Sequence, residues 1–134
     1  MSTLVKDRKE SKIEFIENMR QLVAHTWKYI SKFPKTTRFI FQTKLCDYVN
    51  DAFRHIISAN SIYIKTKEDV AQRRTHFNEA IGLINSFEAL LDIVQLSYKQ
   101  YVTDYGWSHW GDLIIKEISL LKGIIKKDET IKFD

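Results

Sequence analysis

Four histidines, one cysteine and one arginine–histidine pair are the residues of this sequence whose types invite chemistry. His25, His55, His76 and His109 fall one on each of four helical segments. None has a His, Cys or carboxylate partner at the short spacings that zinc sites use, so no dedicated metal site is expected and each ring is expected to be half-exposed. A di-metal centre in a helical bundle takes a Glu from each of two helices and a Glu-x-x-His from the other two. No Glu here is followed by His at that distance. Cys46 stands beside Leu45 with no neighbour that would lower its pKa, so a small buried or half-buried thiol is expected, not a nucleophile. Gly-rich phosphate loops are absent from the sequence. Arg20 and His25, spaced R-x-x-x-x-H, make the one pair left. Histidine moves protons and arginine stabilises charge on a phosphorane-like centre. Five residues along a helix nevertheless set the two about 140° apart. No catalytic residue is assigned, no cofactor is expected, and the chain reads as a non-enzyme.

Binding of anions is the second chemistry on offer. The net charge is only +4, but its distribution is uneven. Between Glu17 and Asp47 there is no acidic side chain, while Arg20, Lys28, Lys32, Lys35, Arg38 and Lys44 all lie in that interval. An RNA would find its attraction concentrated there, and each phosphate contact would make binding more sensitive to salt. The same run also reads as a solvated face that complements a helix C-terminus. Trp27, Trp107 and Trp110 sit on apolar stripes and are expected in the core, not as base-stacking platforms. Tyr101 and Tyr105, near a helix end, are freer for an interface.

The elements that must position these residues are helices. The chain has 134 residues, with 44% hydrophobic and 28% charged side chains, enough for one globular domain with a real core. Four Gly and one Pro leave few turns, which favours a few long helices. The first is expected over about 11–32, with Ser11 and Glu14 as a capping box and Ile13, Ile16, Val23, Trp27 and Ile30 as the buried face. Pro34 ends it. The second, about 36–63, is capped by Thr36 or Thr37 and buries Phe41, Leu45, Val49, Ala52, Ile56 and Ala59. The segment from Ile64 to Asp69 is the expected exposed connection. The third, about 67–101, repeats Val70, Phe77, Ile84, Leu91 and Tyr98 every seven residues, with Ala80, Phe87, Val94 and Tyr101 in the second seam position. A turn at Asp104, Tyr105 and Gly106 leads to the fourth, about 107–127, whose face is Trp107, Trp110, Ile114, Ile118, Leu121 and Ile125. The tail from Asp128 is expected to fray. The fold class is therefore all-α, an antiparallel up-down four-helix bundle forming a single domain over 1–134. Second apolar stripes on the second and fourth helices exceed the needs of one core and point to self-association. A lone cysteine, a polar N-terminus and no apolar run long enough to span a bilayer place the chain in the cytoplasm.

At the junction of the first two helices the sequence reads Tyr29-Ile-Ser-Lys-Phe-Pro-Lys-Thr-Thr-Arg38-Phe-Ile. Phe33, Pro34, Lys35, Arg38 and Phe39 resemble the F-P-K-x-x-R-F junction of a family of small bacterial four-helix bundles. That family comprises ribosomal-RNA intervening-sequence proteins and the accessory proteins of diversity-generating retroelements. The long third helix and the closing Leu120-Leu-Lys-Gly123-Ile-Ile fit its layout, although Ile124 and Ile125 stand where an aromatic often follows the glycine. The resemblance implies a homopentamer with a basic surface. In the retroelement branch it also implies binding to a reverse transcriptase and its template RNA. On the residues alone, a protein-binding bundle with no nucleic-acid role is the alternative. The Arg20–His25 pair resembles the motif of HEPN-type ribonucleases, which is the third.

Overall fold

The computed structural model describes residues 13–134, and the Ser11 half of the expected capping box lies outside them. Four long helices account for most of the described residues: α1 (Glu14–Ile30), α2 (Thr43–Asn60), α3 (Lys67–Tyr98) and α4 (Asp104–Asp128). No strand occurs among the described residues. The protein is an all-α helical bundle.

Each helix packs on the next, and α4 closes the ring on α1. The pairing residues rise along one helix as they fall along its neighbour. Glu14 meets Lys116 while His25 meets Gly106. Across α2 and α3, Arg73 donates to the Ala59 carbonyl near one end, and Phe41 packs on Tyr98 near the other. The heptads of α3 bury Val70, Phe77, Ala80, Ile84, Phe87, Leu91 and Val94, but the last two seam positions fall away: Tyr98 is half-buried, and Tyr101 lies past the end of α3 and is exposed. The stripe of α2 from Phe41 to Ala59 is buried as expected.

The face of α1 is broader than expected and differs at its edges. Ile16 and Val23 are buried as expected and Ile30 is half-buried, and Phe15, Met19, Leu22, Thr26 and Tyr29 join them, whereas Ile13 is exposed and Trp27 is 58% exposed. The cause is polar. Asn18, His25 and Thr26 turn inward because α4 satisfies them, and that rotation carries Trp27 out of the core. Asn18 Nδ2 donates to the Leu113 carbonyl and to Glu117 Oε1, Trp110 Nε1 donates to Thr26 Oγ1, and His25 Nε2 meets the Gly106 carbonyl.

Caps also differ from the expectation. Neither Thr36 nor Thr37 caps α2; Thr37 Oγ1 donates back to the Pro34 carbonyl at 2.7 Å. The connection before α3 does hold a capping box, built from Thr66 and Asp69. Asp104, Tyr105 and Gly106 are not a turn but the first turn of α4, which Thr103 caps by accepting from the Gly106 amide. Gly106 is required there, since a Cβ would lie 2.5 Å from Val102 Cγ1 and 3.0 Å from the Tyr29 ring. Asp128 does not fray: it is 8% exposed and ion-paired to Arg73 at 2.8 Å.

One stretch, Lys67–Tyr101, is long and apolar enough to cross a bilayer by length and composition. No apolar run in the sequence suggested this. The stretch is this apolar because α3 carries nonpolar side chains on two sides. Opposite its core stripe, Ile93 is 60% and Leu96 87% exposed.

Candidate nucleic-acid interface

The chain between α1 and α2 is where the basic residues collect, and its backbone is unusually well fixed. Ser31 to Phe33 turn away from α1, and Phe33 drops into a cluster of rings made by Phe41, Tyr98, Tyr101 and Trp107. Pro34 takes an extended conformation, and a single tight turn, Lys35–Thr37, follows. Arg38–Gln42 then forms one turn of π-helix, in which the Thr43 amide reaches back to the Arg38 carbonyl. Gln42 Nε2 donates to the Pro34 carbonyl at 2.8 Å and to Thr37 Oγ1 at 2.7 Å, locking the segment to itself.

The π-turn decides what this segment shows to solvent. A wider turn inserts an extra residue into the helical path, and such turns concentrate at functional sites. Here Phe41 faces the core at 3% exposure while Phe39 is 90% and Ile40 71% exposed. A bare aromatic ring thus stands beside Arg38 and one turn from Lys35.

All six basic candidates are exposed: Arg20, Lys28, Lys32, Lys35, Arg38 and Lys44. Lys28 and Lys32 lie at the end of α1 and just beyond it, Lys35 and Arg38 on the connecting turns, and Lys44 in the first turn of α2. These five form a continuous belt along the chain. Arg20 is set apart, roughly 18 Å up α1 from Lys32 at 1.5 Å per residue. It is also already paired with Glu17 at 3.0 Å, so less of its charge is available.

Arg20 instead borders a second feature, a shallow groove between α1 and α2. Val23, Ala24, Trp27, Asn50 and Phe53 line the rest of it. Trp27 Nε1 donates to Asn50 Oδ1 at 3.2 Å, which holds the indole against the groove with the ring still open to solvent. Trp107 and Trp110 are core residues, as their stripe implied. Trp27 is not, and it joins Phe39 as a ring available for stacking.

The Arg20–His25 pair does not form one site. Arg20 is exposed on the α1–α2 side, and His25 is buried at the α1–α4 seam, 8% exposed. Burial lowers the pKa of His25, the Gly106 carbonyl partly offsets this, and His109 and Lys28 lower it further.

The histidines meet in two pairs, and three of them are half-exposed as expected, His25 being buried. His25 packs edge-on to His109 at 4.9 Å between ring centres, and His109 stacks on Tyr105. His55 and His76 face each other across α2 and α3 with their Nδ1 atoms 3.0 Å apart. No spacing rule shows this, because each pairing depends on the register between two helices. Cys46 is half-buried, and burial followed by the charge of Asp47 raises its pKa, as befits an unreactive thiol. No group of three or more His, Cys, Asp or Glu suited to a metal ion occurs among the described residues. No protein-family model matches the chain, and no curated protein or solved structure matches it significantly.

Proposed function

We propose that the protein is a non-enzymatic, homo-oligomeric RNA-binding bundle of the bacterial cytoplasm. By the resemblance of its Phe33-Pro34-Lys35 junction it acts as an accessory to an RNA–protein complex, such as a retroelement reverse transcriptase with its template. One observation carries the reading: Trp27 and Phe39 are solvent-exposed rings set in a stretch that has six basic side chains and no acid. Single strands are held by that combination, cations on the backbone and aromatic faces under the bases. The locked Pro34–Gln42 segment supports it too, because a preordered surface loses less entropy on binding.

The test is binding of a structured RNA with unpaired loops at low and at moderate salt. Affinity should fall steeply as salt rises, and K35E/R38E should weaken it at low salt and flatten the salt slope by about two counterions. Absence of binding at low salt removes the reading. Pentameric association, which the resemblance implies, predicts a single high-mass species by light scattering; a monomer counts against it.

Exposed Ile93 and Leu96 on α3 favour a second reading, a bundle whose partner is protein and not nucleic acid. A protein-only partner would leave K35E/R38E without effect and make L96D disruptive.

A further inference from the structure

We propose that His55 and His76 form a two-nitrogen site for a divalent transition-metal cation of the Cu(II) or Ni(II) type, bridging α2 and α3. The two rings come from adjacent helices, are both half-buried, and lie 5.3 Å apart between centres at an interplanar angle of 39°. Their Nδ1 atoms approach to 3.0 Å. Without a metal, two neutral rings satisfy this contact by sharing one proton in an Nδ1–H···Nδ1 hydrogen bond. The same geometry presents two imidazole nitrogens at the separation of neighbouring ligands on one ion.

Distance selects the class of ion. Imidazole nitrogens bind at about 2.0–2.1 Å, so two of them 3.0 Å apart subtend roughly 94° at the metal. A tetrahedral ion needs about 3.4 Å between the same atoms at that bond length, whereas tetragonal and octahedral ions take right angles. Cu(II) and Ni(II) therefore fit with less movement than Zn(II). In the contact as it stands the two Nδ1 atoms share a hydrogen bond, and ligation requires the rings to turn until both lone pairs point at one ion. Each ring then carries its proton on Nε2, and no net proton is released.

The helices hold the rings without help from the ion. His55 is followed by Ile56 and His76 by Phe77, both wholly buried, so the clamp is set by the α2–α3 core and needs no folding on binding. The charges around the pair are mixed. Asp51 and Glu79 favour a cation at His55, while Arg54 opposes one, and burial keeps the ring neutral and able to ligate. Among the described residues no third protein ligand is grouped there, so water fills the remaining positions and the ion stays exchangeable. The other pair differs in geometry: His25 and His109 meet edge-on, 4.9 Å between ring centres, in a buried seam, without the nitrogen-to-nitrogen approach of His55 and His76.

Chelator-treated, untagged protein titrated with CuSO4, NiCl2 and ZnCl2 at pH 7.5 tests the site by calorimetry and thermal unfolding. One saturable ion per chain is expected for Cu(II) and Ni(II), with Tm raised by roughly 5 °C at ten times Kd. H55Q and H76Q should each weaken binding at least tenfold, and H109Q should leave it unchanged. If either variant folds poorly, Cu(II) broadening of the imidazole proton resonances in the unaltered protein decides the matter. Broadening confined to His55 and His76 supports the site. Saturable binding that survives both substitutions, broadening centred on His25 and His109, or no saturable binding overturns it.

Discussion

Asn18 Nδ2 lies 3.1 Å from Glu117 Oε1, and among the described residues that hydrogen bond is the single one reaching a carboxyl group with no solvent exposure. The second oxygen, Oε2, has no partner among the described residues. Burial pushes the Glu117 pKa up to about 8, against smaller downward pulls from Asn18 and Lys116. A folded-state pKa above the unfolded one means the native protein holds a proton that the unfolded chain has released. The group's contribution is complete below about 4.5 and is lost as pH rises toward 8. The loss is on the order of a few kcal/mol. Glu117→Gln keeps the bond from Asn18 and removes the ionisation, so it should stabilise the protein above pH 8 in urea titrations. Depressed His25 and His55 act in the opposite sense: their contribution is present above the unfolded value of 6.5 and is lost in acid. With Glu117 replaced, stability should therefore climb from pH 5 to 7 and then level off. A continued fall between pH 6 and 8 in the variant would contradict this assignment.

Arg73 is tied down from three directions. Its Nε donates to Asp128 Oδ2 at 2.8 Å, another nitrogen donates to the Ala59 carbonyl, and its guanidinium lies over the Phe77 ring at 5.2 Å. Both members of the ion pair are about nine-tenths buried. Removing one leaves the other charge stranded, so Asp128→Ala should cost about 2–4 kcal/mol in denaturant unfolding. A loss below 0.5 kcal/mol, the range of surface substitutions, would show that the pair is loosely held.

Glycines separate into two kinds. Gly82 and Gly123 lie inside long helices, and a Cβ at either meets nothing within 4 Å. Alanine at each should stabilise by roughly 0.5–1 kcal/mol, the usual helix-interior difference. Gly106→Ala should destabilise by about 1–3 kcal/mol, because Val102 and Tyr29 already occupy the space. Thermal melts of the three variants read opposite signs.

Trp27→Ala tests the interface without disturbing the core. The ring is 58% exposed and bonded only to Asn50, so stability should change by less than about 1 kcal/mol. RNA affinity should drop by about 1–3 kcal/mol, the worth of one stacked base. Phe39→Ala should behave alike. Unchanged affinity in both variants would put the interface elsewhere.

The parts of this fold that are readable in the sequence are those whose burial repeats with a helical period. Phe77, Ile84 and Leu91 recur every seven residues and all reach the core. The buried face of α1 was harder to see because it mixes Met19 and Leu22 with Asn18, His25 and Thr26, polar types that periodicity assigns to solvent. What makes them internal is a set of partners on α4, which no local pattern contains. The error on Trp27 follows directly from that shift. The basic belt was legible as an interval without acids. Its aromatic half was not, because the π-turn at Arg38–Gln42 alters which of Phe39, Ile40 and Phe41 faces inward.

The seam between α1 and α4 also bears on how the chain is made. Its polar contacts join residues 81 to 99 positions apart in sequence, whereas α2 and α3 meet across a short connection. On the ribosome, α2 and α3 can pair as soon as both have emerged. Asn18 and His25 lack their α4 partners until α4 has left the exit tunnel, so the α1–α4 seam settles after α2 and α3 have paired. During that interval the side of α1 that α4 later covers is bare, and its inward polar groups Asn18 and His25 face solvent in place of protein.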